Sequence, residues 1–118
     1  MSKIGGTAFI AYDGNQLQLA GDMTVSPDDV EREGKAGLSG VAGFTETNRV
    51  PFIEGTFFTV PELSITEISE ITDATVTAEL GNGRSYVLRN AWVAGTRELN
   101  VADGTVGIKF EGVSCKEI

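Results

Sequence analysis

Asp28, Asp29, Glu31 and Glu33 place four carboxylates within six residues, the densest cluster of potentially reactive groups in the chain. Carboxylates so spaced serve hard cations or general acid–base chemistry. Neither use fits. The run lacks the ligand spacing of an EF-hand loop. Its opening, Ser26-Pro27-Asp28-Asp29, reads as the start of a helical turn, with Ser as cap, Pro at the first position and acids in the first turn. The chain has no histidine, which removes the commonest general base and metal ligand. Cys115 is the single cysteine, so no internal disulfide forms, and without a histidine to activate it the residue reads as a small buried hydrophobe or inert tail residue. No catalytic residue, metal site or cofactor is expected, and the chain does not read as an enzyme.

The next candidates are Gly34, Gly37, Gly40 and Gly43, at every third position. Without proline, four such triplets cannot build a collagen helix. They also match neither GxxxxGK[ST] nor GxGxxG, so they do not cradle phosphate. Flexibility and close backbone approach remain. These glycines lie in an insert from Ser26 to Arg49, in which Leu38, Val41 and Phe44 also recur every three residues and provide a thin apolar side. A structureless loop this long is uncommon in a compact domain unless it is functional or disordered. Its polar backbone and sparse apolar surface cannot repay the entropy of ordering, so a partner is expected to hold it.

The elements on either side read as β. Thr7–Tyr12, an Asp13-Gly14-Asn15 turn and Gln16–Val25 form a hairpin, since Asp-Gly tolerates positive φ. Leu17, Leu19, Gly21, Met23 and Val25 alternate with Gln18, Ala20, Asp22 and Thr24, a period of two with one buried face. Residues 50–59 (VPFIEGTFFT) form another strand, begun or placed at an edge by Pro51. Ser64–Ile71 is the helix candidate: Ser64 and Glu67 have capping-box spacing, and Ile65, Ile68 and Ile71 share a face. Ala74–Leu80 and Arg84–Val93 flank a Gly81-Asn82-Gly83 turn, with Tyr86, Leu88 and Trp92 in apolar phase. Thr105–Val113 closes the set, burying Val106, Ile108 and Phe110. Five to seven strands and one helix predict a mainly β fold of two packed β-sheets, a sandwich or half-barrel with one short flanking helix.

At 118 residues and 41% hydrophobic, evenly spread, the chain can build one domain with its own core, spanning 1–118. No apolar run approaches the ~18 residues of a membrane span. The opening MSKIGG lacks a signal peptide's apolar block, which predicts a protein made and kept in the cytosol. The net charge is −8, and residues 55–80 carry five acids, including Glu62, Glu67, Glu70 and Asp73, without a base. Such acidity argues against a grip on nucleic acid, which needs clustered Lys and Arg.

Three stretches taken in order resemble the tail tube proteins of Mu-like contractile-tailed phages. They are QLQLAGDMTVSPDDVEREGKAGLSGVAGFTET, VPFIEGTFF, and EITDATVTAELGNGRSYVLRNAWVAGTRELN followed by VGIKFEG. Together they cover nearly the whole chain. The resemblance implies a virion structural protein without cofactor, forming hexameric rings that stack into the inner tube of a tail. Its implied partners are other copies of itself, the tail sheath, the tape-measure protein, the baseplate and the tail terminator. DNA would pass through without tight binding, and assembly would occur in the bacterial host cytoplasm. The family's fold implies two packed sheets whose strands join those of neighbouring subunits into a barrel lining the lumen. A tube subunit of a secretion system or bacteriocin is a near alternative; a ligand-binding β-module is a more distant one, for which Tyr12, Tyr86 and Trp92 are the aromatic candidates, although Tyr86 and Trp92 share the apolar phase of a strand and read as core.

Within that frame the insert is expected to reach the next ring or neighbouring subunit, ordering on assembly. Val30, Leu38, Val41 and Phe44 would anchor it, and Arg32 and Arg49 would pair with acids across the joint. Gln18, Asp22 and Thr24, with Glu54, Glu79 and Glu111, are the candidates for a small polar lumen wall along which DNA slides.

Overall fold

The computed structural model describes residues 8–61 and 63–118. Thr7, where a strand was expected to begin, the MSKIGG opening and acidic Glu62 lie outside them. The strands are β1 (Ala8–Tyr12), β2 (Asn15–Leu17), β3 (Leu19–Ser26), β4 (Val30–Gly37), β5 (Gly40–Asn48) and β6 (Phe52–Phe58). The helix α1 (Ile65–Ser69) follows, then β7 (Ala74–Leu80), β8 (Ser85–Ala94), β9 (Leu99–Asn100), β10 (Thr105–Glu111) and β11 (Ser114–Glu117). The mainly β architecture with two sheets and one short helix matches the sequence reading.

One sheet contains β2, β1, β7, the first half of β8 and β11; the other contains β3, β6, β10, β9 and the second half of β8. Two chain runs pass between the sheets. Strand β8 pairs with β7 between Ser85 and Ala91 and with β11 through Tyr86–Arg89, then with β10 through Trp92–Ala94. The β2–β3 run pairs first with β1 and then with β6, changing partner at Gln18, so only the start of the strand expected over Gln16–Val25 closes the hairpin with β1. These corners close the two sheets around one core of Ile10, Leu17, Ile53, Phe57, Ile68, Val76, Ala78, Leu88, Ala91, Val106, Ile108 and Phe110. Alternation supplies it: β10 buries Val106, Ile108 and Phe110, and β6 buries Ile53, Gly55 and Phe57.

Local chemistry explains the connections. Asp13 (φ 47°) and Gly14 (φ 85°) occupy the two left-handed positions of a tight β1–β2 turn. Asp13 is also tied to Thr75 by two bonds: its carboxylate accepts from the Thr75 N–H, and its own N–H donates to the Thr75 carbonyl (both 2.9 Å). The Ser64 hydroxyl accepts from the Glu67 N–H at 3.3 Å, the N-cap that the spacing predicted. Ile68 is fully buried, Ile65 and Ile71 pack beside it, and Glu67 and Glu70 face solvent. Cys115 lies half-buried in β11 opposite Leu88, and burial raises its thiol pKa.

Four expectations are corrected. The insert is no structureless loop: β4 and β5 form a regular antiparallel hairpin. Ser26-Pro27-Asp28-Asp29 starts no helix, because Ser26 ends β3 and Val30 begins β4. Tyr86 and Trp92 are not core residues. Asn90 adopts φ 52° at a register shift between β7 and β8, so Leu88 and Ala91 both point inward and Trp92 turns outward. Short β9 and β11 also raise the strand number above the five to seven expected; runs of two and four residues leave little periodicity to read.

Candidate assembly surfaces

The β4–β5 hairpin projects as an arm. Apart from partly covered Val30, every residue from 31 to 50 is exposed. The longest dimension of the molecule is 62 Å and its radius of gyration 17.1 Å, against ~13.5 Å for a compact chain of this length. The arm prolongs the barrel wall. Strands β3 and β6 pair Thr24 with Glu54 and Ser26 with Phe52, and the arm resumes at Val30 opposite Asn48 in the same register. Pro27 and Pro51 therefore stand opposite each other, where neither can donate to a ladder. The Arg49 N–H bonds to the Asp29 carbonyl at 2.8 Å just beyond them. In sequence, both prolines lie twelve residues from Ser39 at the tip, the one signal from which the hairpin was legible.

Opposed residues of an antiparallel pair point to one face. One arm face carries Val30, Arg32, Gly34 and Ala36 against Asn48, Glu46, Phe44 and Val41. Regular strand geometry would put Val41 and Phe44 on opposite faces. The register shifts between Lys35 and Ala36, with Gly43 at φ 144°, and that bulge brings both to one side. Leu38 stands fully exposed at the turn, Val41 is 86% exposed and Phe44 60%. The opposite face carries Glu31, Glu33, Lys35, Thr45 and Thr47. Within the single chain Arg32 already pairs with Glu46 (3.1 Å) and lies 5.7 Å over the Phe44 ring, while Arg49 approaches Glu31 (3.9 Å) and Lys35 approaches Glu33 (3.3 Å). Of the four carboxylates first singled out, Glu31 and Glu33 thus fall into ion pairs on β4, and Asp28 and Asp29 lie in the link between β3 and β4. Among the described residues no group of three or more acids, histidines or cysteines gathers to hold a metal.

Of the six wall candidates, four share a surface. Thr24, Glu54 and Glu111 occupy the outer face of the β3–β6–β10 sheet, and Asp22 lines the same shallow concavity of about 490 Å³ as Thr24 and Glu54. Glu79 faces outward from the other sheet, opposite Phe9 and Ser85. Gln18 lies at the corner where the chain changes sheets, its carbonyl accepting from the Phe58 N–H. Two further residues of this face went unread as its members in the sequence. Lys109 stands between Glu54 and Ala94, with its ammonium 4.5 Å over the Phe52 ring, and half-buried Trp92 lies opposite Glu111. Nothing in one strand's alternation shows which other strands share its face.

The phage tail tube protein family model matches residues 1–117. The chain is 35% identical over 117 residues to the Mu-like prophage FluMu tail tube protein of Haemophilus influenzae, covering 99% of this chain and 98% of that one. Among solved structures it is similar to the sheath/tube terminator of an extracellular contractile injection system, with TM-score 0.68, 10% identity, and 96% and 94% of the two chains covered. It is also similar to the tube-terminating cap of the anti-feeding prophage, with TM-score 0.63, 10% identity, and 94% and 87% covered. At such identity the structural likenesses speak for the fold alone.

Proposed function

The chain belongs to the phage tail tube proteins, a structural rather than enzymatic family, and on that premise we propose that its copies form hexameric rings stacked into the inner conduit of a contractile tail. The observation that carries this reading is the arm. Its apolar face covers nothing among the described residues, and a lone two-stranded hairpin is marginal in water. Docked on a neighbour, the face is buried and the ladder held. Repetition of such a contact between unlike surfaces builds an open-ended filament.

Free strand edges favour the same reading. Strand β3 pairs only with β6, and β4 only with β5, so one side of the run from Leu19 to Gly37 has no strand partner among the described residues. In a soluble monomer such an edge invites aggregation, whereas in a ring it becomes a subunit contact. The outer face bearing Asp22, Glu54 and Glu111 against the single Lys109 then lines the lumen. Its small negative excess repels DNA phosphates and lets a genome slide toward the host. Sheath, tape-measure protein, baseplate and terminator complete the tail, and subunits assemble in the host cytoplasm.

Negative-stain microscopy of the purified protein over a concentration series tests this: rings and tubes of uniform bore are expected, and a persistent monomer would sink the reading. Amide exchange follows the arm separately. Residues 30–48 should exchange fast in the free subunit and slowly in tubes; equal protection in both states would remove the arm from the contact.

A further inference from the structure

Two apolar patches lie at opposite ends of the wall. One is the arm tip, with Leu38, Val41 and Phe44. The other forms where β6 ends and β10 begins. There Phe58 opposes Thr105, which in turn opposes Asn100 of β9. The Gly104 carbonyl accepts from both the N–H and the hydroxyl of Thr59 (2.9 and 3.0 Å), locking the strand end to the turn. That turn presents Val101, 90% exposed; Phe58, about half exposed, shares the outer face with Thr105 and Asn100, and Leu99, also about half exposed, reaches the same strand end from the other face, opposite Val106. Strand β6 runs from the arm's base to this patch, and its seven residues separate the two by ~20 Å.

The patches are alike in chemistry and different in shape. One is a protruding tip, the other a flat strand end, so a contact between them is head-to-tail, not self-complementary. Charge agrees with this pairing. Lys35, which approaches Glu33 of its own strand (3.3 Å) on the face opposite Phe44, is the only charged residue from Gly34 to Thr45, whereas residues 95–104 carry Glu98 and Asp103 against Arg97. Asp103 is also held in place, accepting from the Asn100 amide at 3.0 Å.

We propose that the arm tip of one copy, through Leu38, Val41, Phe44 and Lys35, docks on the Phe58–Leu99–Val101 end of a second copy, beside its Asp103. The contact rests on the stacking reading above and assigns the surface that receives the arm. The occupant is a second copy of this chain because tip and receiving end belong to the same molecule, point along one axis and carry opposite charge.

Single-cysteine variants test the assignment. In a Cys115→Ala background, Leu38→Cys and Val101→Cys proteins are mixed, assembled and oxidised, then run on a non-reducing gel. A dimer band from the mixture, absent from either variant alone, is expected. A dimer from Leu38→Cys alone would mean tip-to-tip contact and overturn the assignment. Intact tubes with no mixed dimer would also overturn it, while leaving stacking in place. Wild-type protein that forms neither rings nor tubes would sink stacking and this contact together. Val101→Asp adds an independent reading. The subunit's melting temperature should stay unchanged while the concentration needed for tubes rises at least ten-fold; an unchanged threshold would refute the contact.

Discussion

At the residue scale, Gly112 shows how tightly the corner between the sheets is built. A Cβ there would meet Leu88 Cδ1 and Cγ at 2.8 Å and the Arg89 carbonyl oxygen at 2.9 Å. Backbone cannot yield as a side-chain tip can, so Gly112→Ala is expected to cost about 1–3 kcal/mol, read as a lower urea midpoint. A second residue-scale case is Tyr86, whose hydroxyl donates to the Glu117 carboxylate at 3.0 Å while Arg84 binds the other oxygen. That hydrogen bond, more than burial, raises the phenol above its usual 10.0. A raised folded-state value stabilises the protein fully below the unfolded one, and the contribution is lost as pH rises through the raised value. Stability should therefore fall on the alkaline side, above pH 10, as phenolate forms beside Glu117 and β11 loosens. Tyr12, raised chiefly by burial, titrates in the same direction. Tyr86→Phe should flatten part of that fall in a series of thermal melts; an unchanged alkaline slope would count against the Tyr86–Glu117 bond.

At the element scale, the arm is separable from the barrel. It contributes no residue to the core, and its strand ends come together at Asp29 and Arg49. Replacing Val30–Asn48 by an Asn-Gly turn should leave the barrel folded, because that turn suits tight hairpin closure. Near-native circular dichroism with no tubes at any concentration is expected. Loss of the fold would show that the arm stabilises the barrel. The arm also shows why its form was hard to read in sequence. Four glycines and scattered charges hide the alternation, and the Ala42–Gly43 bulge breaks it just where the apolar residues lie. By contrast the α1 cap and the two short-turn hairpins were legible, since each rests on residues within a few positions of one another.

At the scale of the whole molecule, the proposed lumen face would set what the tube conducts. Asp22, Glu54 and Glu111 arrive on it from three strands. Changing all three to Lys should leave tubes intact, because these side chains support no core contact, yet make the lumen hold duplex DNA. Retention at about 50 mM salt and release near 200 mM is the signature of counterion release. Wild-type tubes should not retain the duplex; if the lysine variant does not either, this face does not line the bore. The Glu79→Lys variant is the control, since that residue faces outward from the other sheet.

Alternation, turn residues and capping act over short spans, so strands, hairpins, helix and most of the core were open to reading from sequence. The full-length likeness of ordered segments likewise pointed to the tail tube family. Three things required the folded chain, because each depends on residues far apart in sequence. One is the shared register on either side of the opposed Pro27 and Pro51, which makes the insert a continuation of the β3–β6 ladder. Another is the outward turn of Trp92, set by a left-handed Asn90. The last is the sorting of six polar candidates into four on one face, one on the other sheet and one at a corner. Register between distant strands is a tertiary property, and a single strand's period of two carries no record of it.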